Sequence, residues 1–214
     1  MEFVKQYLLS KNIPLDEKKF GEFAQKNIRT EFKKKDLILK AGEVENYLSF
    51  VEKGIARLFF EKENKDLTIR FVFEYQYLTV YDSFTQRTPS RCDVEALTDM
   101  VVWRVHYDDL QMLYKTHSVG NLIGRLTVEK LYVEKLNREF SLLSETAEER
   151  YLKIMKEQPD LFQRLPLKHI ASYMGITPQA LSRIRKRISF YMKNNCSTFA
   201  EIKGFEDPND EKNK

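Results

Sequence analysis

In LPLKHIASYMGITPQALSRIRKRISFY, residues 165–191, two short amphipathic segments flank a glycine. Leu167, Ile170, Ala171 and Met174 fall on one face of a helix over 165–174. Gly175 supplies a residue able to turn left-handed. Thr177 then stands as an N-cap, with Pro178 at the first helical position, where its missing N–H does no harm. The second helix, 178–191, has two faces. Leu181, Ile184 and Ile188 point inward, whereas Gln179, Ser182, Arg183 and Lys186, spaced i, i+3, i+4, i+7, point outward together. That is the layout of a helix-turn-helix, whose second helix lies in the major groove with its N-terminal residues at base edges. Gln pairs bidentately with adenine and Arg with guanine, each worth ~1–3 kcal/mol of discrimination. Lys168, Lys186, Arg187 and Lys193 are expected at phosphates, which supply affinity without sequence information.

Charge supports this reading. Residues 164–193 hold Arg164, Lys168, Arg183, Arg185, Lys186, Arg187 and Lys193 and no Asp or Glu, although the whole chain carries only +4. From Glu201 onward the tail is acidic and is expected to be solvated. Such asymmetry points to a polyanionic partner; the plain alternative is a solvated basic face.

The chain of 214 residues suits one large domain or two small ones, and 42% hydrophobic with 32% charged residues is an ordinary globular composition. No apolar run approaches the ~18 residues of a membrane span, and MEFVKQYLLSKN lacks a signal-peptide core. Cys92 and Cys196 form neither a disulfide framework nor a metal-binding spacing. A cytoplasmic location, no membrane partner and no metal are therefore expected.

Upstream, Val4 and Leu8, then Phe20, Phe23 and Ala24, suggest short helices around Pro14. From Phe32 to His106 the texture changes to strand-like runs: LIL (37–39), YLSFV (47–51), ARLFF (56–60), TIRFVF (68–73), CDVEA (92–96) and VVWRV (101–105). Turn signals such as Lys53-Gly54 and Thr88-Pro89-Ser90 separate them, and this spacing predicts an antiparallel roll or sandwich. Residues 107–143 revert to helix with a seven-residue period. Val119, Leu126, Val133 and Phe140 form one row; Leu122, Leu136 and Leu143 form the next, interrupted by Glu129. Apolar a and d positions over three heptads suit a dimer seam, while packing on the roll is the alternative. The polar break at Glu129 is where a change in the roll could alter that seam. In 144–163, Ser144 begins a helix-start signal and Pro159 ends the helix.

The predicted fold class is α+β: an N-terminal antiparallel β-roll, a long dimerisation helix and a C-terminal helix-turn-helix of winged-helix type. The expected domains are 1–107, 108–143 and 144–214.

Taken together, the roll, the long helix and IASYMGITPQALSRIRKRI resemble the Crp/Fnr family of bacterial transcription regulators over about residues 30–190. AGE..NYLSFVEKGIARLFF (41–60) is similar to the family's Gly-Glu, strand, turn-Gly, Arg-Leu pattern. The family's recognition-helix arginine corresponds to Arg183; Pro178 and Gln179 replace the arginine and acid at the helix start, which implies a different operator. The resemblance also implies a cyclic-nucleotide-like pocket in the roll. Its Gly-Glu is replaced by Thr79-Val80 and its phosphate-binding Arg by Ser90, while alternation turns the adjacent Arg91 outward. Cyclic AMP is therefore not the expected effector. Tyr75, Tyr77, Tyr81, Arg87, Ser90 and Arg91 are the candidate lining of any other ligand site, with core and rim packing as the alternative for the tyrosines. The cysteine count excludes the family's iron–sulfur branch. His106, His117 and His169 each have an explanation other than haem ligation.

No phosphate-binding loop, dinucleotide fingerprint, nucleophile elbow or zinc-protease motif is present, so no enzyme is expected. The expectation is a homodimeric, sequence-specific regulator that binds double-stranded DNA at a palindrome, without a cofactor and with an unknown effector. RNA polymerase is a further candidate partner. The competing expectation is a ligand-binding or protein-interaction module whose basic helices dock an acidic protein.

Overall fold

The structure is a computed structural model that describes residues 2–10, 16–63, 65–116 and 118–194. Pro14 and His117 lie outside them. By packing, the chain divides into two compact units, 1–134 and 135–214.

The first unit opens with two helices, α1 (Glu2–Ser10) and α2 (Glu17–Gln25). Eight strands follow: β1 (Asn27–Phe32), β2 (Leu37–Leu39), β3 (Tyr47–Lys53), β4 (Ala56–Lys62), β5 (Lys65–Val72), β6 (Tyr77–Leu78), β7 (Asp93–Ala96) and β8 (Met100–His106). A short helix, α3 (Tyr81–Gln86), lies between β6 and β7. The strands make two antiparallel sheets, ordered β1-β8-β3-β6 and β2-β7-β4-β5. The expected α+β class and antiparallel roll are what the chain adopts.

Side chains alternating along the strands supply the core. Val51, Ala56, Val72, Val94, Ala96 and Val102 are fully shielded from solvent, and Leu78 and Met100 nearly so. The β-branched residues predominate because they fit a pleated surface and lose little rotamer freedom there. The chain passes from one sheet to the other at Gly54, where φ is +97°. Its N–H donates to Glu74 Oε1 at 2.9 Å, and the next N–H, of Ile55, to Thr98 Oγ1 at 3.0 Å.

Residues 27–32 and the helical stretch from 107 differ from the sequence expectation. Residues 27–32 are a strand rather than the end of the N-terminal helices, paired with β8 from Asn27↔Val105 to Phe32↔Met100. Ile28 on this edge strand is exposed, and only Ile28 and Phe32 of NIRTEF are apolar, which leaves a weak strand signal. The helical stretch from 107 is two helices, α4 (Tyr107–Thr116) and α5 (Ser118–Ser144). Gly124 allows close packing there: a Cβ at this position would lie 2.9 Å from the Tyr114 hydroxyl.

The second unit begins within α5 and continues with α6 (Ala147–Glu157), α7 (Leu161–Arg164), α8 (Leu167–Tyr173) and α9 (Pro178–Asn194). Ser144 does not start α6. It is the last residue of α5, and its hydroxyl donates to Phe140 O at 2.7 Å. The N-cap is Thr146, which forms a reciprocal capping box with Glu149: Glu149 N–H donates to Thr146 Oγ1 at 3.2 Å, and Thr146 N–H to Glu149 Oε2 at 2.7 Å. Tyr151, Met155, Leu161, Leu165, Ile170, Met174, Leu181, Ile184 and Ile188 are all buried. Leu167, at the first position of α8, is instead 38% exposed and leaves that face to Ile170, Ala171 and Met174.

Candidate nucleic-acid interface

The turn between α8 and α9 is built from hydrogen bonds that the sequence dictates. Gly175 sits at φ +72°, and its N–H donates to Ser172 O while the N–H of Ile176 donates to Ala171 O, both at 3.0 Å. These are the two bonds of a Schellman motif, which satisfies carbonyls left open at the end of α8. Thr177 then caps α9: its hydroxyl accepts the N–H of Ala180 at 3.1 Å.

With Leu181, Ile184 and Ile188 buried, α9 has one rotational setting, and it exposes Gln179, Ser182, Arg183, Lys186 and Arg187. Thr177 and Lys168 are exposed as well. Lys193 lies on the last turn of α9, with its side chain outside the described residues. Among the described residues, Arg183 and Lys186 have no carboxylate partner, whereas Arg187 is paired with Glu148 of α6. Each side chain named from the sequence for DNA contact is exposed wherever it is described.

Two arginines that the sequence reading did not single out hold this turn in place. Arg138 of α5 donates to Tyr173 O and stacks on the Tyr173 ring, its guanidinium carbon 3.8 Å from the ring centre. Arg150 of α6 donates to Met174 O at 3.1 Å and to Ser141 O at 3.1 Å, and also to Glu145 O. Guanidinium donors thereby meet the C-terminal carbonyls of α8 and α5 together, where a helix dipole favours a cation. Burial lowers the pKa of Arg138 from its ordinary value. Partners 24 and 35 residues away leave no local signal in the sequence.

Along α5, Leu126, Val133, Phe140 and Leu143 are 40%, 54%, 65% and 80% exposed, and Leu136 is half-buried. The side chains of Val119 and Leu122 lie outside the described residues. Glu129 pairs with Arg125 at 2.9 Å on the same helix, and both are exposed.

In the roll, the candidate ligand residues have identifiable structural partners. Arg87 caps α3 in the left-handed region (φ 56°), donates to Glu45 O at 2.6 Å, Phe84 O at 3.2 Å and Asn46 Oδ1, and stacks on Tyr107. Ser90 is buried; its hydroxyl donates to Cys92 O at 2.6 Å and accepts the Cys92 N–H at 3.1 Å. Arg91 is at the surface, where it meets Asp82 at 3.0 Å. Tyr77 packs edge-on against Phe50, while Tyr75 and Tyr81 are about half exposed. Val80, one of the residues in the place of Gly-Glu, precedes α3 without a side-chain cap.

One buried charge here was not anticipated. Glu45 is 4% exposed, and burial pushes its carboxyl above the ordinary carboxylate range, although backbone N–H groups of Tyr47, Val80 and Asn46 and the charge of Arg104 favour ionisation. For a carboxyl whose folded pKa is raised, stability falls as pH climbs from its unfolded pKa through the folded one. Glu45→Gln retains an acceptor for the Tyr47 N–H. We expect it to raise the melting temperature at pH 8, with the gain vanishing as the pH is brought below the ordinary carboxylate range; a gain independent of pH would contradict this.

Residues 29–117 match the family model described as the cyclic nucleotide-binding domain. Among solved structures, the chain is similar to FixK2 of Bradyrhizobium japonicum (TM-score 0.65, 17% identity, covering 77% of this chain and 85% of that one). It is also similar to the c-di-GMP responsive global regulator CLP of Xanthomonas campestris (TM-score 0.64, 14% identity, 82% and 92%). A third is a protein of Eubacterium rectale assigned to the Crp/Fnr transcriptional regulators (TM-score 0.67, 13% identity, 86% and 88%). At these identities the likeness is one of fold, the α+β arrangement with an antiparallel roll expected from the sequence. No curated sequence matches the chain. Among the described residues, no helix is long and apolar enough to cross a membrane.

Proposed function

We propose that the chain is a transcription regulator that works as a homodimer, paired through α5, and reads a palindromic DNA operator with α9. The observation that carries this reading is the exposed row Gln179, Ser182, Arg183 and Lys186, set by a buried opposite face and a capped turn, in a segment with no acidic residue from 161 to 200. Gln179, Ser182 and Arg183 are the base-reading side chains; Thr177, Lys168, Lys186, Arg187 and Lys193 meet the backbone. The two-fold seam is formed by Val119, Leu122, Leu126, Val133, Leu136, Phe140 and Leu143, with Glu129 its polar break.

Cyclic AMP is not part of this reading. A cyclic phosphate needs a guanidinium and free amides; Ser90 is buried in place of the expected Arg, and Arg91 is drawn to Asp82 at the surface. The cytoplasm is the proposed compartment.

Selection of genomic fragments by the purified protein without added ligand tests the proposal. Enrichment of a palindrome with half-site centres about one helical turn apart supports it. Absence of enrichment together with no salt slope against duplex DNA favours docking of an acidic protein instead. On the enriched site, Arg183→Ala is expected to cost about 5- to 150-fold and to relax preference at one position per half-site. Lys168→Ala should weaken every sequence alike. Uniform losses from both variants would remove Arg183 from base reading.

A further inference from the structure

Within the proposed DNA-binding surface, one cation is already occupied. Arg187 and Glu148 meet in a two-point contact: Nε to Oε1 at 3.3 Å, and Nη2 to Oε2. Their side chains are 53% and 35% exposed, so the pair lies at the surface of the unit rather than in its core. Among the described residues, the neighbouring Arg183, Arg185 and Lys186 of α9 have no carboxylate partner, and from 161 to 200 the chain itself offers none.

The chemistry of this contact matters because of its shape. A guanidinium grips a carboxylate through the same planar fork of N–H groups that it turns to a phosphate. The edge of Arg187 that faces Glu148 cannot grip a phosphodiester in that way at the same time. Glu148 does not need Arg187 for its own placement, since it lies in the first turn of α6, where the helix dipole favours a carboxylate. Its neighbour Glu149 is the residue that closes the capping box with Thr146. Glu148 is therefore not required for the cap, and its carboxylate is held by the helix end against the cationic side of α9.

We propose that Glu148 is an internal counter-ion that occupies Arg187 in the free protein, is displaced by the phosphodiester backbone on binding, and thereby lowers DNA affinity. The inference rests on the reading of α9 as the DNA-binding helix. It adds a residue of α6, outside the helix-turn-helix, to the determinants of affinity.

The test compares wild type, Glu148→Gln, Arg187→Ala and the double variant on one duplex over a range of salt concentrations, with melting temperatures recorded for each. Glu148→Gln is expected to tighten binding roughly 2- to 5-fold, the range of an exposed ion pair. Its salt dependence should steepen by up to about 0.9 in log–log slope, as for one additional phosphate contact. In the Arg187→Ala background the same change should bring little or no gain. An equal gain in both backgrounds would make Glu148 only a source of general repulsion and overturn the proposal. Weaker binding by Glu148→Gln at an unchanged melting temperature would show that Glu148 orients Arg187 toward DNA, and would overturn it too. So would unchanged affinity. Failure of wild type to bind any duplex with a salt slope refutes the DNA-binding reading itself, a result distinct from these.

Discussion

Replacing Gly54 with Ala should destabilise the first unit by about 2–5 kcal/mol and lower its melting temperature by roughly 6–20 °C. Two costs combine. Gly54 sits at φ +97°, a backbone region that costs an L-residue ~1–2 kcal/mol. A Cβ there would also lie 2.5 Å from Asp99 O, 2.7 Å from Met100 Cγ and 2.9 Å from Thr98 Oγ1. The first of these is a backbone carbonyl in the turn before β8 and cannot rotate aside, so the corner between the sheets must open. Overpacking of this kind costs ~1–3 kcal/mol. Gly42 separates the two effects, because its φ is +93° but a Cβ would meet nothing within 4 Å. Gly42→Ala should therefore show the backbone cost alone. If the two variants melt together, the close approach at Gly54 does not carry the energy assigned to it.

What could be read in the sequence follows from the range over which each signal acts. The two faces of α9 were legible because helical geometry alone fixes which of Leu181, Arg183, Ile184 and Lys186 share a side. The Schellman turn at Gly175 and the cap at Thr177 were legible because their partners are three to five residues away. The roll strands were legible from apolar runs between turn residues. Edge strand β1 was not, since Ile28 faces solvent and only pairing with β8 makes these residues a strand. The start of α6 was misplaced at Ser144 although Thr146 and Glu149 have the capping-box spacing. Buried charges were beyond local reading altogether. Arg57 is 2% exposed because Glu95 and Asp66 lie 2.8 and 3.1 Å away across the sheet, and Glu45 is buried among loop amides. The same limit hid the contacts of Arg138 with Tyr173, Arg150 with Met174 and Glu148 with Arg187, whose partners are 24 to 39 residues distant.

The larger effect on function is expected at the α5 seam. Among the described residues of this helix, seven large apolar side chains are substantially exposed: Leu126, Val128, Tyr132, Val133, Phe140, Leu142 and Leu143. A chain of this composition rarely leaves so many apolar groups on one helix in water without a covering partner. In a two-fold pairing each side chain enters the seam twice, so Phe140→Glu removes two aromatic rings and adds two carboxylates. Loss of two buried phenylalanines amounts to about 3–6 kcal/mol, or roughly 10²- to 10⁴-fold in the dimer dissociation constant, before any repulsion. Because Phe140 is 65% exposed within its own chain, the monomer should still fold, with its melting temperature lowered only by the lost mass-action contribution of the partner. On the proposed pairing, sedimentation equilibrium should find wild type dimeric and the variant monomeric at the same concentration. The monomer should bind a single half-site as weakly as it binds a palindrome, because the second α9 no longer arrives with the first. A Phe140→Glu protein that remained dimeric would place the seam elsewhere, and the spacing of the two α9 helices would then have to be set by another surface.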